Sequence, residues 1–266
     1  MAIRDITLGQ YYPEESKIHS LDGRTKIIAT IAYLVSLFCI KNYFGFAIAA
    51  IALFAAVKIS KVPFKFIAKG LKPILVLIIF TMIVNAFATP GTEIFTVWKL
   101  TMTYEGVNRA IFMAIRLMLL IFGSSLLTLS TKPIQLTDGL EKLFSPLKLV
   151  GLPAHELAMM MTIALRFIPT LLEETDKIMK AQTARGADFE SGNLKERAKA
   201  LVPLLVPLFV SAFRIASDLA MAMEARCYRG GAGRTKMNEA RFRSNDLVAA
   251  VLLIIYFVVI ILLRQF

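Results

Sequence analysis

The chain alternates long apolar runs with short polar segments. Five of these runs approach the length of about 20 residues that a helix needs to cross the hydrocarbon core of a bilayer. The first two runs are short and are separated only by Lys41 and Asn42, so they predict a tight hairpin of two spans. The five predicted spans cover residues 27–40, 43–57, 74–88, 107–129 and 247–263.

The charges between the runs predict their orientation. The segment that follows the second run, KISKVPFKFIAKGLKP, carries five lysines. The segment between the third and fourth runs carries few cations and three aromatic residues, Phe95, Trp98 and Tyr104. Because Lys and Arg accumulate in cytoplasmic loops and aromatic residues at membrane interfaces, the first segment is predicted inside and the second outside. The N-terminus is therefore predicted in the cytoplasm and the C-terminus outside.

Two further apolar segments, residues 157–172 and 201–223, are predicted not to cross. If both crossed, the segment between them would lie outside although it carries six cations, and the segments on either side of the pair are basic too. We therefore expect a transmembrane domain in residues 1–130, a cytoplasmic domain in residues 131–243 and a final transmembrane helix in residues 244–266. The six cations are Lys177, Lys180, Arg185, Lys195, Arg197 and Lys199.

Both of these segments repeat apolar residues at alternating spacings of three and four, which is typical of amphipathic helices with one continuous seam. Each helix should be about 25 to 30 residues long, or about 40 Å. Pro169, Pro203 and Pro207 are predicted to bend or start these helices. The predicted fold class is all-α, a polytopic membrane protein with about five transmembrane helices and a cytoplasmic domain of long helices. The predicted seams are Ala158, Met161, Leu165, Ile168, Leu172, Thr175 and Met179 in the first helix, and Leu201, Leu205, Leu208, Ala212, Ile215, Leu219 and Ala222 in the second.

Composition and motifs narrow the functional classes. Hydrophobic residues make up 57% of the 266 residues and the mean hydropathy is +0.65, well above ordinary soluble usage. A net charge of +12 would suggest nucleic acid in a soluble protein, but here the cations flank apolar runs, so the lipid bilayer is the expected partner and nucleic acid is not. The chain has no HExxH, CxxC, GxSxG or Walker A motif. We therefore expect no catalytic residue and no metal site, and nucleotide chemistry must reside on another chain.

Arg116 interrupts the fourth apolar run. A charge at that depth costs about 2.5 to 3.5 kcal/mol on insertion scales. The side chain is therefore expected to have a partner within the protein or to snorkel to the interface.

A short motif recurs at the ends of both amphipathic segments. The stretches AQTARG, residues 181–186, and AMEARC, residues 222–227, share the pattern A-x-x-A-R-small. One interpretation is structural, because an arginine in the last turn complements the helix dipole and Gly186 can take the left-handed C-cap conformation. The other is functional. Small neighbours leave Arg185 and Arg226 projecting from the far cytosolic tips of their helices, ready to bind carboxylates in the groove of a partner.

The two motifs differ in the residue after the arginine. The first has Gly186, which adopts positive φ without penalty, whereas Cys227 carries a Cβ and does not. We therefore expect the second helix to end differently, continuing through Tyr228 until Gly230 and Gly231 stop it.

With these motifs the chain resembles the transmembrane T component of energy-coupling factor transporters. The segments IHSLDGRTKI, TYEGVNRAIFMAIRL, LPAHELAMMMTIALRFIPTLLEE and AQTARG match that family in order over nearly the whole chain, although Gly23 stands where proline is expected. In that family two Ala-Arg-Gly motifs end cytoplasmic coupling helices and dock into grooves of two ATP-binding-cassette ATPases. The resemblance assigns docking to Ala184, Arg185, Gly186, Ala225, Arg226 and Cys227, the last in place of glycine.

The resemblance also implies partners and a mechanism. The chain would be a non-catalytic scaffold in the bacterial cell membrane, with ATP and Mg bound by its two ATPase partners and no cofactor of its own. ATPase motion would pass through the coupling helices to one integral membrane S component that binds a vitamin or trace nutrient. The alternative is the substrate-binding membrane permease of a conventional ABC importer, which docks through a single coupling loop. A membrane enzyme is disfavoured, because the sequence lacks paired histidines or carboxylates at the interface.

Overall fold

A computed structural model of the chain describes residues 11–97, 100–146, 151, 153–187, 189, 193–230, 242 and 244–263. The described residues form two compact units. We call them the bundle unit, within Gly9–Leu140 and Glu239–Phe266, and the hairpin unit, within Glu141–Asn238.

The described residues form α-helices at every predicted span and in both long amphipathic segments. The predicted break at Lys41 and Asn42 is confirmed, since it separates the first two helices. The helices are α1 (Gly23–Cys39), α2 (Tyr43–Ser60), α3 (Phe64–Lys69), α4 (Leu75–Ala88), α5 (Tyr104–Ser130), α6 (Pro133–Phe144), α7 (Ala154–Ala184), α8 (Leu194–Ala225) and α9 (Ser244–Leu263).

Length and apolar composition allow five of the described helices to cross a membrane. Three of them, α2, α5 and α9, are predicted spans, and the other two are α7 and the part Leu201–Ala225 of α8. The remaining predicted spans, α1 and α4, have 17 and 14 residues, or about 26 and 21 Å at 1.5 Å per residue. The number of helices able to cross equals the number of predicted spans, but two of the five helices are not the predicted ones. The cytoplasmic placement of residues 131–243 stays a prediction.

The connection between α4 and α5 contains a short antiparallel sheet that the all-α prediction did not include. Strand β1 (Glu93–Val97) pairs with β2 (Leu100–Thr103). The two residues that link the strands, Trp98 and Lys99, lie outside the described residues. They do not have the Asn-Gly or Asp-Gly composition that signals a tight hairpin in a sequence, which explains why the pattern missed it.

Helix α5 lies at the centre of the bundle unit, where it packs against α1, α2, α3 and α4, while α9 packs against α1 and α2. Many other apolar side chains of the unit face outward, for example Phe44 and Val76, which are 79% and 74% exposed. Such surfaces suit contact with lipid rather than water. The buried core consists of Leu37, Ile40, Phe46, Ala49, Leu53, Val57, Val62, Ile67, Leu119, Leu129 and Ile260.

Arg116 has partners inside the bundle, as predicted. Its guanidinium donates a hydrogen bond to the carbonyl oxygen of Ile40, 3.1 Å away. Because Ile40 caps the end of α1, this bond satisfies a carbonyl that has no partner within its own helix. The guanidinium carbon also lies 5.2–5.9 Å from the ring centroids of Phe38, Phe46 and Phe112, and these rings stabilise the cation in an apolar setting.

A buried group of polar residues joins the start of α1, the end of α5 and the start of α9. We call it the polar junction: Asp22, Lys26, Ser130 and Asp246. The Lys26 ammonium donates to the carbonyl oxygens of His19 (3.1 Å) and Ser130 (2.9 Å), and the Asp22 amide donates to Asp246 Oδ1 (2.9 Å). Burial, and then the charge of Lys26, lower the pKa of His19. The segments that form this junction lie far apart in sequence, so no local pattern predicts it.

The close approach of α1 and α6 accounts for Gly23 in place of the expected proline. A Cβ at Gly23 would lie 2.4 Å from the backbone oxygen of Gln135, and a Cβ at Gly139 would lie 2.9 Å from the carbonyl carbon of Gly23. Because the nearest atoms belong to backbone, they cannot rotate away. The position therefore has no room for any side chain.

Candidate docking motifs

The hairpin unit is built on α7 and α8, which lie side by side and run in opposite directions. Side-chain hydrogen bonds at three levels define their register. These bonds are Gln182 Nε2 to Pro203 O (3.4 Å), Ser211 Oγ to Glu174 Oε1 (3.4 Å), and Tyr228 Oη to Met159 Sδ (2.8 Å).

Apolar side chains of both helices surround a small cavity of about 210 Å³ between α7 and α8. On α8 they include Ala212, Ile215 and Leu219, which confirms that part of the predicted seam. On α7 they are Ile163, Phe167 and Leu171, which lie beside the predicted seam rather than on it. The first half of α7 is apolar on more than one face, so periodicity alone did not identify the face that meets α8.

The three prolines predicted to bend or start these helices lie inside them, with Pro169 in α7 and Pro203 and Pro207 in α8. Because Pro207 has no N–H, the carbonyl of Pro203, four residues earlier, has no donor in its own helix. Gln182 of α7 donates to that carbonyl. Sequence analysis missed Gln182. The signal was the Pro-x-x-x-Pro spacing, which leaves a free acceptor on the helix surface.

The first motif ends α7 in a Schellman turn. Arg185 is the C-cap residue, and Gly186 adopts the left-handed conformation with φ 89°, as predicted. The Gly186 amide donates to Thr183 O (2.9 Å), and the Ala187 amide donates to Gln182 O (3.0 Å). These two bonds satisfy carbonyls of the last helical turn and fix the direction in which Arg185 leaves the helix.

The second motif has the same backbone arrangement, so the expected difference between the two helix ends is wrong. Helix α8 stops before Arg226, and Cys227 adopts φ 55° although it carries a Cβ. The Cys227 amide donates to Glu224 O (2.8 Å), and the Tyr228 amide donates to Met223 O (3.0 Å). The helix does not continue through Tyr228 to the glycines that follow. The hydrogen bonds of the Schellman turn outweigh the cost of about 1–2 kcal/mol for an L-residue in this conformation.

The two arginines lie at opposite ends of the helix pair. In the observed register Arg185 faces the beginning of α8, about 26 residues before Arg226. At 1.5 Å per residue the two turns are about 40 Å apart along the pair. Antiparallel packing separates the ends of consecutive helices, so each arginine lies at its own end of the pair.

All six predicted docking residues are exposed. Among the described residues, neither the Arg185 nor the Arg226 guanidinium has a hydrogen-bond or ion-pair partner. Each guanidinium is flanked by residues with short or no side chains, so its five N–H donors are open to an incoming carboxylate. The residues are Ala184, Arg185, Gly186, Ala225, Arg226 and Cys227.

The outer face of α8 carries an unpartnered apolar stripe. Val202, Val206, Phe209 and Phe213 follow spacings of four, three and four, and they are 54–72% exposed. Residues with these spacings share one face of a helix. An exposed apolar surface of this kind marks a contact with lipid or with another protein. Because α8 is apolar on more than one face, its sequence alone does not distinguish this outer stripe from the seam.

A histidine and a glutamate form a pair beside the start of α7. His155 Nδ1 lies 2.9 Å from Glu141 Oε1, and this pair joins the end of α6 to the start of α7. Within the part of the chain that the structure describes, no group of three His, Cys, Asp or Glu side chains is placed to hold a metal ion.

Comparison with known proteins gives consistent matches over nearly the whole chain. A family model described as the cobalt transport protein CbiQ matches residues 14–237, which include both motifs. The chain is 56% identical over 249 residues to the energy-coupling factor transporter transmembrane protein EcfT of Thermosediminibacter oceani, with 94% of each chain covered. It is 56% identical over 252 residues to the protein of the same name from Clostridium kluyveri (94% and 93% covered) and 49% identical over 247 residues to that of Bacillus subtilis (92% and 93% covered).

Proposed function

The chain belongs to the family of energy-coupling factor transporter transmembrane proteins, and from this premise we propose that it couples two ATPases to a substrate-binding subunit in the membrane. It is a multi-pass membrane component of a transporter. The finer assignment rests on one observation. The same exposed, arginine-capped turn occurs at the two opposite ends of the helix pair.

Two turns about 40 Å apart suit two separate protein partners better than one. Each ATPase would receive one helix end in a groove, where Arg185 or Arg226 forms bidentate hydrogen bonds to carboxylates. The shared Schellman geometry supports equivalent docking at both ends, because it directs each arginine away from its helix in the same way. A rigid pair of helices would then transmit movement of the ATPases along its length.

The apolar stripe of Val202, Val206, Phe209 and Phe213 supports an additional partner that is itself a membrane protein. Such a stripe binds the apolar surface of another helix without burying polar groups. We assign it to the integral membrane S component, which binds the vitamin or trace nutrient and exchanges on this scaffold.

The remaining properties follow from this role. The chain lies in the bacterial cell membrane with its N-terminus in the cytoplasm, because the lysine-rich loop between α2 and α4 belongs on that side. ATP and Mg bind to the partner ATPases, and the chain itself is not an enzyme.

Purification of the full-length chain from its native membrane tests the proposal. Mass spectrometry of the complex should identify two ATPase chains and a small integral membrane protein that binds a nutrient. Purification of ATPases without such a membrane protein, together with binding of the transported nutrient to this chain, would favour a conventional permease instead.

A further inference from the structure

A cavity of about 620 Å³ that opens to the surface of the bundle unit lies between α1, α2, α5 and α9. Its volume falls in the range of about 300–1,000 Å³ that is typical of sites for small molecules. Along α9 its wall extends from Asn245 to Tyr256, which corresponds to about 17 Å of helix. The docking motifs belong to the hairpin unit, so the cavity is not part of the site described above.

The two ends of the cavity differ in chemistry. Lys17, Lys26, Ser130 and Asn245 line one end, where α1 begins, α5 ends and α9 begins. The remaining wall is almost entirely apolar and rich in alanine. The residues that give it this character include Ala29, Ala52, Ala55, Ala56, Leu126 and Ala249.

The far end of the cavity offers no free hydroxyl group. Tyr33 lines it, but its hydroxyl donates to the carbonyl oxygen of Ala49, 3.4 Å away. Tyr256 also lines it, and its hydroxyl lies 2.7 Å from Ser36 Oγ in a hydrogen bond. Both rings therefore present mainly their apolar faces to the cavity.

The charge of the lining is entirely positive. Among the described residues that line the cavity, Lys17 and Lys26 are charged and none is acidic. Lys17 is exposed, whereas Lys26 is buried, donates to two carbonyl oxygens and interacts with the carboxylates of Asp246 and Asp22, so Lys17 is the cation that an incoming anion can reach. A cationic mouth above an apolar wall matches a molecule with an anionic head and a hydrocarbon tail.

We propose that this cavity binds one acyl chain of an anionic phospholipid, phosphatidylglycerol, with its phosphate at Lys17. The cationic end lies on the side that the charge distribution assigns to the cytoplasm, so the lipid comes from the inner leaflet. Basic pockets between transmembrane helices on that side recognise anionic headgroups, and the apolar wall takes the hydrocarbon. The bound chain fills the space between α2 and α9. This inference does not depend on docking of the ATPases.

The hydrocarbon contact is tested by filling the cavity. Ala249→Phe places a ring inside it, whereas Ala250→Phe, one residue further along α9, adds the same ring at an exposed position. The full-length protein is purified in detergent from cells, and the retained lipids are quantified by mass spectrometry. The wild type and Ala250→Phe should retain phosphatidylglycerol, and Ala249→Phe should lose most of it. Equal retention by both variants would overturn the proposal, and so would replacement of the phospholipid by a free fatty acid in the wild type.

The headgroup contact is tested with variants on the surface, where folding is not at risk. Purified protein is equilibrated with equal amounts of phosphatidylglycerol and phosphatidylethanolamine, and the ratio of bound lipids is measured. Lys17→Gln should lower the preference for phosphatidylglycerol by about fivefold. Lys58→Gln, which removes an exposed lysine at the same end of the bundle but outside the cavity, should not change it. A preference that is absent in the wild type, or unaffected by Lys17→Gln, would refute the anionic site.

Discussion

Replacement of Lys26 by methionine should destabilise the protein by about 3–5 kcal/mol. The side chain is only 5% exposed, and its ammonium satisfies the carbonyl oxygens of His19 and Ser130. Each carbonyl that loses a buried partner costs about 1–3 kcal/mol. The variant also removes a cation that interacts with the carboxylate of Asp246, which is 2% exposed. Methionine is similar in length to lysine. The loss of stability therefore reflects the missing hydrogen bonds and charge more than lost packing.

The assay is reversible unfolding of the purified protein in detergent, followed by the helical circular dichroism signal. Lys58→Met serves as the control, because Lys58 is exposed and a change there should stay within about 0.5 kcal/mol. The double variant Lys26→Met, Asp246→Asn should recover part of the loss, since the buried carboxylate is neutralised while the amide oxygen still accepts from Asp22. If Lys26→Met and Lys58→Met have the same free energy of unfolding, the polar junction does not stabilise the protein as predicted.

Two pairs of substitutions and one cysteine variant test separate parts of the structure. Cys227→Gly should raise stability by up to about 1 kcal/mol, because relief of the left-handed strain exceeds the added freedom of glycine in the unfolded chain. Gly186→Ala should lower the stability by a similar amount. If the thermal midpoints of the two variants move in the opposite directions, the two helix ends do not share the left-handed turn. Gly23→Ala should cost about 1–3 kcal/mol through its clash with the backbone of α6. Gly70→Ala should cost less, because its closest neighbour is a hydroxyl that can rotate, and equal losses would contradict this packing. A cysteine at Ser191, outside the described residues, should resist an impermeant maleimide applied to intact cells, and labelling from outside would place residues 131–243 differently.

The sequence predicts the helices well because their signal is local. Apolar runs and the break at Lys41 and Asn42 mark the ends of α1 and α2 within a few residues. The periodicity of α8 also identifies Ile215 and Leu219 as residues that face α7. These features depend on the spacing of residues along one segment, which a sequence states directly.

Features that depend on contacts between distant segments could not be predicted in this way. The polar junction brings Lys26 next to Ser130, which is 104 residues away in sequence. The opposite placement of the two arginines depends on antiparallel packing of α7 and α8, which the sequence of neither helix predicts alone. The turn at Cys227 shows the same limit at short range, because hydrogen bonds of the last turn override the conformational preference of one residue.

The docking assignment of the two arginines is tested most directly by charge reversal. Arg185→Glu and Arg226→Glu are made singly and together, and the number of ATPase chains that co-purify with each inserted protein is measured. Because buried interface arginines contribute about 2 kcal/mol or more, each single change should reduce ATPase recovery. The double variant should retain neither ATPase. Arg214→Glu, an exposed change in the middle of α8, is the matched control and should keep the normal ratio. A double variant that still binds both ATPases and supports normal uptake would contradict the account.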